Sequence, residues 1–325
     1  MKDQIKKKTT LYLAPMRGLT EATYRNIFYR YFSGIDLAIT PFITTVKANS
    51  ISKRHIRDVL LENNSSMPLI PQILSKDTEG FICLAKTLYD SGYDEINWNL
   101  GCPYPMVAKK MRGSGLLPYP EKIDKFLDTV LAKIPNRLSI KTRLGRFHED
   151  EIFSVIPVFN KYPISQLIIH PRTGKQMYDG HANVDKFSDC LSFSNHSIVY
   201  NGDIKSLSDF QKLQIRFPNI DKWMIGRGIL ANPFLAEIIK NSNDIKINYE
   251  KIKCFHNELY EQYQSNLSGP GHILGKMKGH WKYLSQIFQN NKKLLKKIQR
   301  SSKIKQYENI VNEAFQKLNE VTLIN

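Results

Sequence analysis

Glu95-Ile96-Asn97-Trp98-Asn99-Leu100-Gly101-Cys102-Pro103 begins as an apolar strand and ends as a bent turn carrying a thiol. Glycine and proline on either side of Cys102 fix the backbone there, so the sulfur points from the turn into the space above the strand. An inert structural cysteine needs no such setting. The same grammar, a short apolar run closed by an unusual polar residue, recurs along the first 240 residues.

Eight such runs can be read: Leu11–Ala14, Leu37–Thr40, Leu69–Ile73, Glu95–Trp98, Leu138–Lys141, Leu167–His170, Ile198–Asn201 and Lys222–Gly226. Amphipathic stretches of helical period separate them, the pattern of repeated βα units around a parallel sheet. Eight units close a (β/α)8 TIM barrel of α/β class, for which about 250 residues suffice. The polar run Asn241-Ser242-Asn243-Asp244 breaks the alternation. Residues 1–240 are therefore expected to form the barrel, and 241–325 a small all-α domain in which Tyr260, Trp281, Leu284 and Phe288 face inward.

With 42% hydrophobic and 24% charged residues in 325, the chain can bury a real core and is not a disordered polymer. Its net charge of +17 points to a polyanionic partner, nucleic acid ahead of membrane. Cysteines 83, 102, 190 and 254 form no CxxC pair, which argues against a metal site or a disulfide framework. The apolar stretch Leu11–Met16 is too short for a signal or a span, so a cytoplasmic location is expected.

In a barrel of this kind chemistry sits at the carboxyl ends of the strands. Those ends carry Gln72, Asn99 with Cys102, Lys141 with Arg143, His170, Asn201 and Gly226. Singly, each has a bland explanation: Gln72 could cap a ladder, Lys141 could reach solvent, His170 could be a core imidazole. Together they replace the branched apolar side chains that barrel stability alone would select. After strands seven and eight, Asn201-Gly202-Asp203-Ile204 and Gly226-Arg227-Gly228-Ile229 expose backbone N–H donors, and Arg227 adds a cationic fork, so a phosphorylated ligand is expected there. Two ordinary glycine turns are the alternative.

Six ordered motifs now carry a resemblance. Ala14-Pro15-Met16, Asn99–Pro103, Lys141-Thr142-Arg143-Leu144-Gly145, His170-Pro171-Arg172-Thr173-Gly174, Asn201–Ile204 and Gly226-Arg227-Gly228 resemble the tRNA-dihydrouridine synthases, flavoenzymes with a barrel followed by a helical domain. The resemblance implies a bound FMN, its ring met by Pro15, Met16, Gln72, Lys141 and His170, its phosphate by Asn201, Gly202, Asp203, Gly226 and Arg227. Arg17 is counted with these FMN residues, although it stands where the family usually has a small or acidic side chain. Tyr104-Pro105-Met106 likewise departs from the common pattern, and both departures bear on which uridine is the target.

The resemblance further implies that NADPH reduces the flavin, that the reduced flavin N5 gives hydride to C6 of a tRNA uracil, and that Cys102 protonates C5. Asn99, Arg143 and Arg172 are assigned to the substrate. The residue types make chemical sense: a thiol of pKa about 8.5 stays protonated at neutral pH, whereas a carboxylic acid would be ionised and a lysine too weak an acid. Lys141 at the pyrimidine edge would stabilise the reduced, anionic flavin. Gly113-Ser114-Gly115 offers hinges for a loop closing over a flipped base.

Residues 276–305 hold ten Lys or Arg and no Asp or Glu. Lys292, Lys293, Lys296 and Lys297 are expected to follow the phosphate backbone of tRNA, with the interleaved aromatics turned inward. The target base must be extruded to react. The chain is expected to be a monomer with no metal. Another FMN barrel acting on a small molecule and a non-catalytic tRNA-binding protein are the competing readings.

Overall fold

The computed structural model describes residues 9–46, 51–64, 67–243 and 245–322, with side chains to 318, so the basic run before Thr9 and Asp244 of the expected boundary lie outside the described residues. The described residues form ten strands: β1 Thr10–Leu13, β2 Leu37–Ile39, β3 Ile43–Thr44, β4 Leu69–Ile70, β5 Gln72–Leu74, β6 Glu95–Leu100, β7 Arg137–Gly145, β8 Ile164–Thr173, β9 Ile198–Tyr200 and β10 Lys222–Ile225. The helices are α1 Ala22–Tyr31, α2 Thr78–Asp90, α3 Pro105–Ala108, α4 Pro120–Leu131, α5 Ile152–Phe159, α6 Val184–Phe193, α7 Leu207–Arg216, α8 Arg227–Ala231, α9 Leu235–Asn241, α10 Tyr249–Asn266, α11 Pro270–Leu284, α12 Asn291–Arg300 and α13 Ile304–Thr322.

All strand pairs are parallel, in the order β3-β5-β6-β7-β8-β9-β10-β1-β2-β4. The list closes on itself, because β4 and β5 are one run of chain interrupted by Pro71. Proline has no N–H for the ladder. Its carbonyl still accepts from Asn97 N at 2.8 Å, so β4 pairs with β2 and β5 with β6 across the break. The expected eight-stranded barrel is thus present, with its third strand divided and the short β3 added beside β5.

Alternation along each strand divides the side chains. Tyr12, Ala14, Ile39, Ile70, Ile168, Val199 and Met224 form one buried cluster. Side chains of opposite parity, among them Leu11, Leu13, Trp98, Ile140, Leu167, Ile169, Trp223 and Ile225, are fully buried too. Burial on both faces is why parallel strands read as continuous apolar runs. Trp98 stacks on Phe126 of α4 with ring centroids 4.1 Å apart, and Phe81 of α2 packs edge-on against Phe126 at 5.2 Å.

The described chain forms two compact units. The first comprises Asp36–Asp203, Lys212–Ile225 and the described residues before Met16, and holds every strand. The second comprises Met16–Ile35, Ile204–Gln211 and the described residues from Gly226 onward. Its core is aromatic: Phe255 of α10 packs on Phe28, Tyr31 and Phe32, and Trp281 of α11 and His256 share the Tyr307 hydroxyl at 2.8 and 2.7 Å. Burial pushes His256 down to about 4 and His280 to about 3, so both are neutral core imidazoles. Tyr260, Trp281, Leu284 and Phe288 are buried as expected. Among the described residues no helix is long and apolar enough to cross a membrane.

Candidate active site

The Cys102 turn is held at every backbone polar group within reach. Asn99 Oδ1 accepts from Gly101 N at 3.1 Å and from Cys102 N at 2.8 Å, a local side-chain turn that an asparagine favours. The three successive carbonyls are taken by other segments: Gly101 O by Arg143 Nε at 3.0 Å, Cys102 O by Ser114 Oγ at 2.9 Å and Ser114 N at 3.1 Å, Pro103 O by Arg146 Nη1 at 2.9 Å. Cys102 itself is 6% exposed. Its side chain is therefore set by a scaffold rather than by a flexible loop.

Behind the turn lies a fully buried amide chain. Asn99 Nδ2 donates to Gln72 Oε1 at 2.7 Å, Gln72 Nε2 to Asn97 Oδ1 at 2.8 Å, Asn97 Nδ2 to Ser139 Oγ at 3.0 Å, and Ser139 Oγ to Ile96 O at 3.1 Å. Each buried polar group finds its partner in the next, and the chain spans β5, β6 and β7. Asn97 and Ser139 were not singled out from the sequence. Their signal was parity, since each lies two residues before Asn99 or Lys141 on the same face of its strand.

Lys141 pairs in register with Asn99 and is partly buried. Loss of water, reinforced by the Arg143 charge, pushes its ammonium down to about 7, while a negative charge on Cys102 would raise it. It is an amine poised between its charged and neutral forms near neutrality, and among the described residues no carboxylate pairs with it.

Arg172 is 1% exposed, and its five N–H groups all have acceptors. Nη1 and Nη2 hold the Asp203 carboxylate at 3.0 and 2.6 Å; Nη2 also reaches Gly180 O at 2.7 Å, Nε reaches Asp179 O at 3.3 Å, and Nη1 lies 3.1 Å from His170 Nε2. A guanidinium only donates, so Nε2 must accept, and His170 is the neutral tautomer protonated on Nδ1. Arg143, 2% exposed, also donates to Thr173 O at 2.8 Å, joining the β6 turn to the end of β8. Both arginines, expected to meet the substrate, act in this structure as ties inside the fold. Asn201 Nδ2 donates to Met224 O at 2.8 Å, linking the ends of β9 and β10. At Gly202 a Cβ would sit 2.0 Å from the Tyr200 hydroxyl, so only glycine fits.

The segment expected to offer hinges, Gly113-Ser114-Gly115, forms a packed turn. Gly113, Ser114 and Gly115 are buried in a single tight turn, Gly113 at φ +55° with its missing Cβ 2.8 Å from Cys102 Cβ, Gly115 with its missing Cβ 2.2 Å from Ala108 O. These glycines permit close packing. Pro15 closes the first unit's opening strand, whereas Met16, Arg17, Gly226 and Arg227 fall in the second unit. There Met16 N donates to Thr20 Oγ1 at 2.8 Å, Arg17 is exposed, and Gly226 precedes α8. Lys292, Lys293, Lys296 and Lys297 are exposed on α12. Among the described residues no three His, Cys, Asp or Glu side chains are grouped to hold a metal.

Comparison with known families then decides the relationship, because the model of the family described as dihydrouridine synthase matches residues 12–324. The chain belongs to the dihydrouridine synthase family. It is 27% identical over 239 residues to the tRNA-dihydrouridine synthase B of Pasteurella multocida, covering 72% of this chain and 70% of that one. It is 28% identical over 242 residues to the tRNA-dihydrouridine(16) synthase of Neisseria meningitidis, covering 72% of each. With a protein named probable tRNA-dihydrouridine synthase from Staphylococcus epidermidis the identity is 30% over 261 residues and 78% of each chain. Two solved structures share the fold at low identity. Histamine dehydrogenase from Rhizobium sp. 4-9 superposes with a TM-score of 0.55 and 11% identity over 72% of this chain, which spans 46% of that longer one. Morphinone reductase in complex with tetrahydroNAD gives 0.51 and 10%, over 73% and 88% of the two chains.

Proposed function

We propose that this member of the dihydrouridine synthase family reduces the C5=C6 bond of uridines in tRNA to 5,6-dihydrouridine, with FMN as cofactor and NADPH as reductant. The observation that carries the reading is the Cys102 turn, clamped at its N–H groups and its carbonyls beside a Lys141 amine poised near neutrality.

The residues of the first unit suit an FMN. Lys141 is a partly buried amine poised near neutrality with no carboxylate partner among the described residues, Gln72 Nε2 retains a second N–H beyond the one given to Asn97, and His170 carries its proton on Nδ1. Such a donor set matches the carbonyl and nitrogen rim of a flavin. Gln72, Lys141 and His170, with Pro15, Asn201 and Gly202, are proposed to hold the cofactor; Asp203 would act on it through Arg172. Met16, Arg17, Gly226 and Arg227 join this set on the strength of the sequence resemblance alone. When bound, FMN supplies the hydride that goes to C6.

Cys102 gives the proton from Sγ to C5, on the face of the base opposite the hydride. The departing proton leaves negative charge on the sulfur, and Lys141 answers it: a thiolate favours the ammonium form of an amine poised near neutrality. Water then reprotonates the thiolate. Asn99 fixes the turn through its backbone N–H groups, while Arg143 and Arg172 shape the surrounding loops. The tRNA is held by residues 241–325, with Lys292, Lys293, Lys296 and Lys297 on its phosphates. A monomer in the cytoplasm completes the reading.

The test uses the flavin-loaded chain reduced by NADPH. Reoxidation by tRNA lacking dihydrouridine, with dihydrouridine appearing in the product, is expected; Cys102→Ala should retain flavin and NADPH reduction yet lose reoxidation by tRNA. Reoxidation of that variant at the normal rate would overturn the role of the thiol.

A further inference from the structure

Two turns of the first unit are joined by the bond from Arg146 Nη1 to the Pro103 carbonyl, 2.9 Å long. The residue after each anchor turns a large ring to solvent: Tyr104 is 44% exposed and Phe147 56%. Met106, in α3, is 83% exposed. Arg146 also lies 5.7 Å from the centre of the Phe147 ring, within cation–π range. Cys102 stands two residues before Tyr104, so these rings flank the turn that bears the reactive thiol.

On the Tyr104 side the charge has one sign. Between Glu95 and Glu121 the chain carries Lys109, Lys110 and Arg112 and no Asp or Glu. Lys109 and Lys110 are exposed. The acids that follow Phe147 are already engaged: Glu151 accepts from the N–H groups of Arg146, Phe147 and His148 at 2.7, 2.9 and 2.9 Å, Glu149 from Asn183 Nδ2 at 2.6 Å, and Asp150 pairs with Lys186 at 2.7 Å. Exposed rings set among unopposed cations suit a ligand that alternates flat apolar faces with phosphates, which is single-stranded nucleic acid.

We propose that Tyr104 and Phe147 form a stacking platform for the nucleotide next to the target uridine, with Lys109 and Lys110 meeting its phosphates. The inference rests on the reading of this chain as a tRNA-reducing enzyme. Extruding a base strips its neighbour of one stacking partner. A protein ring beside the thiol replaces that partner and holds the neighbour in place while the uridine reacts. Because every base has a flat face, the platform sets position along the strand without demanding one flanking base.

The test compares the flavin-loaded wild-type chain with Tyr104→Ala, Phe147→Ala, the double variant, Tyr104→Leu and Tyr104→Phe. Each alanine variant, and Tyr104→Leu, is expected to raise the tRNA concentration for half-maximal flavin reoxidation by about tenfold. Tyr104→Phe should behave as wild type, and flavin content and reduction by NADPH should not change in any variant. Wild-type tRNA dependence in the double variant would overturn the proposal, as would a Tyr104→Leu variant as good as Tyr104→Phe. A loss confined to the NADPH step would overturn it as well, assigning the rings to the dinucleotide. A wild-type chain that tRNA fails to reoxidise would instead sink the functional reading beneath it.

Discussion

The Ser114 hydroxyl donates to the Cys102 carbonyl at 2.9 Å, twelve residues back along the chain. The Ser114 N–H reaches the same oxygen at 3.1 Å, and Gly174 must lack a Cβ to leave the hydroxyl room, since one would approach it to 2.4 Å. Ser114→Ala keeps the amide bond and loses the other. A single neutral hydrogen bond contributes about 1 kcal/mol, so turnover should fall roughly three- to tenfold through a loosened thiol. The tRNA concentration for half-saturation should stay put. Steady-state kinetics that moved only that concentration would remove Ser114 from positioning the thiol.

The neighbouring glycine makes a sharper case. A methyl at Gly115 would sit 2.2 Å from the Ala108 carbonyl oxygen, which is backbone and cannot step aside cheaply. Gly115→Ala should cost about 1–3 kcal/mol of stability, the range for overpacking a filled site. Urea unfolding checks it. Unaltered stability would restore the idea of a mobile hinge at 113–115.

Why Ser114 reads as a hinge and behaves as a clamp shows what sequence can carry. The barrel was legible because strands buried on both faces leave long apolar runs, broken only where Asn99, Lys141 and His170 mark the functional ends. Pro71 even shows where the third strand divides. Burial of charge is different. Arg143 and Arg172 look like substrate cations because a guanidinium in sequence carries no sign of its surroundings, yet they are 2% and 1% exposed. Their acceptors are mostly backbone carbonyls and a carboxylate up to 42 residues away, partners that exist once the strands are in register.

Arg172 and Asp203 lend themselves to a direct test. Their two-pronged bond at 3.0 and 2.6 Å joins a guanidinium 1% exposed to a carboxylate 21% exposed, so breaking it should cost less than the about 3–5 kcal/mol of a fully buried pair. Arg172→Lys keeps the charge but cannot reach Asp203, Gly180, Asp179 and His170 together. It should unfold at a markedly lower urea concentration. A lysine variant of normal stability but weakened tRNA affinity would return Arg172 to the substrate.

Lys141 predicts a pH dependence with a definite sign. In the unfolded chain its amine titrates near 10.5; in the fold, burial and Arg143 bring it to about 7. Between those values the unfolded state holds a proton that the folded state lacks, so stability rises with pH across the window and is flat below 7. Lys141→Met removes the group. The difference in unfolding free energy between flavin-free wild type and variant should grow in favour of wild type by at most about 1.4 kcal/mol per pH unit from pH 7 toward 10. Other titrating groups are common to both proteins and cancel. A difference independent of pH would mean that Lys141 is charged throughout.

The α12 lysines separate tRNA binding from chemistry. Lys292, Lys293, Lys296 and Lys297 are exposed while Ile298 on the same helix is fully buried, so their substitution leaves the core side intact. Glutamate is a good helix former, and acids at 292 and 293 suit the helix start as much as those at 296 and 297 offend its end. Reversing all four charges should therefore weaken tRNA binding without unfolding the chain. If each lysine meets a phosphate, the slope of log affinity against log salt should become shallower by roughly three to four. Flavin content and reduction by NADPH should match wild type. A salt slope unchanged by the four reversals would place the tRNA on another face of the protein, and the positive charge of this helix would then have to be explained without it.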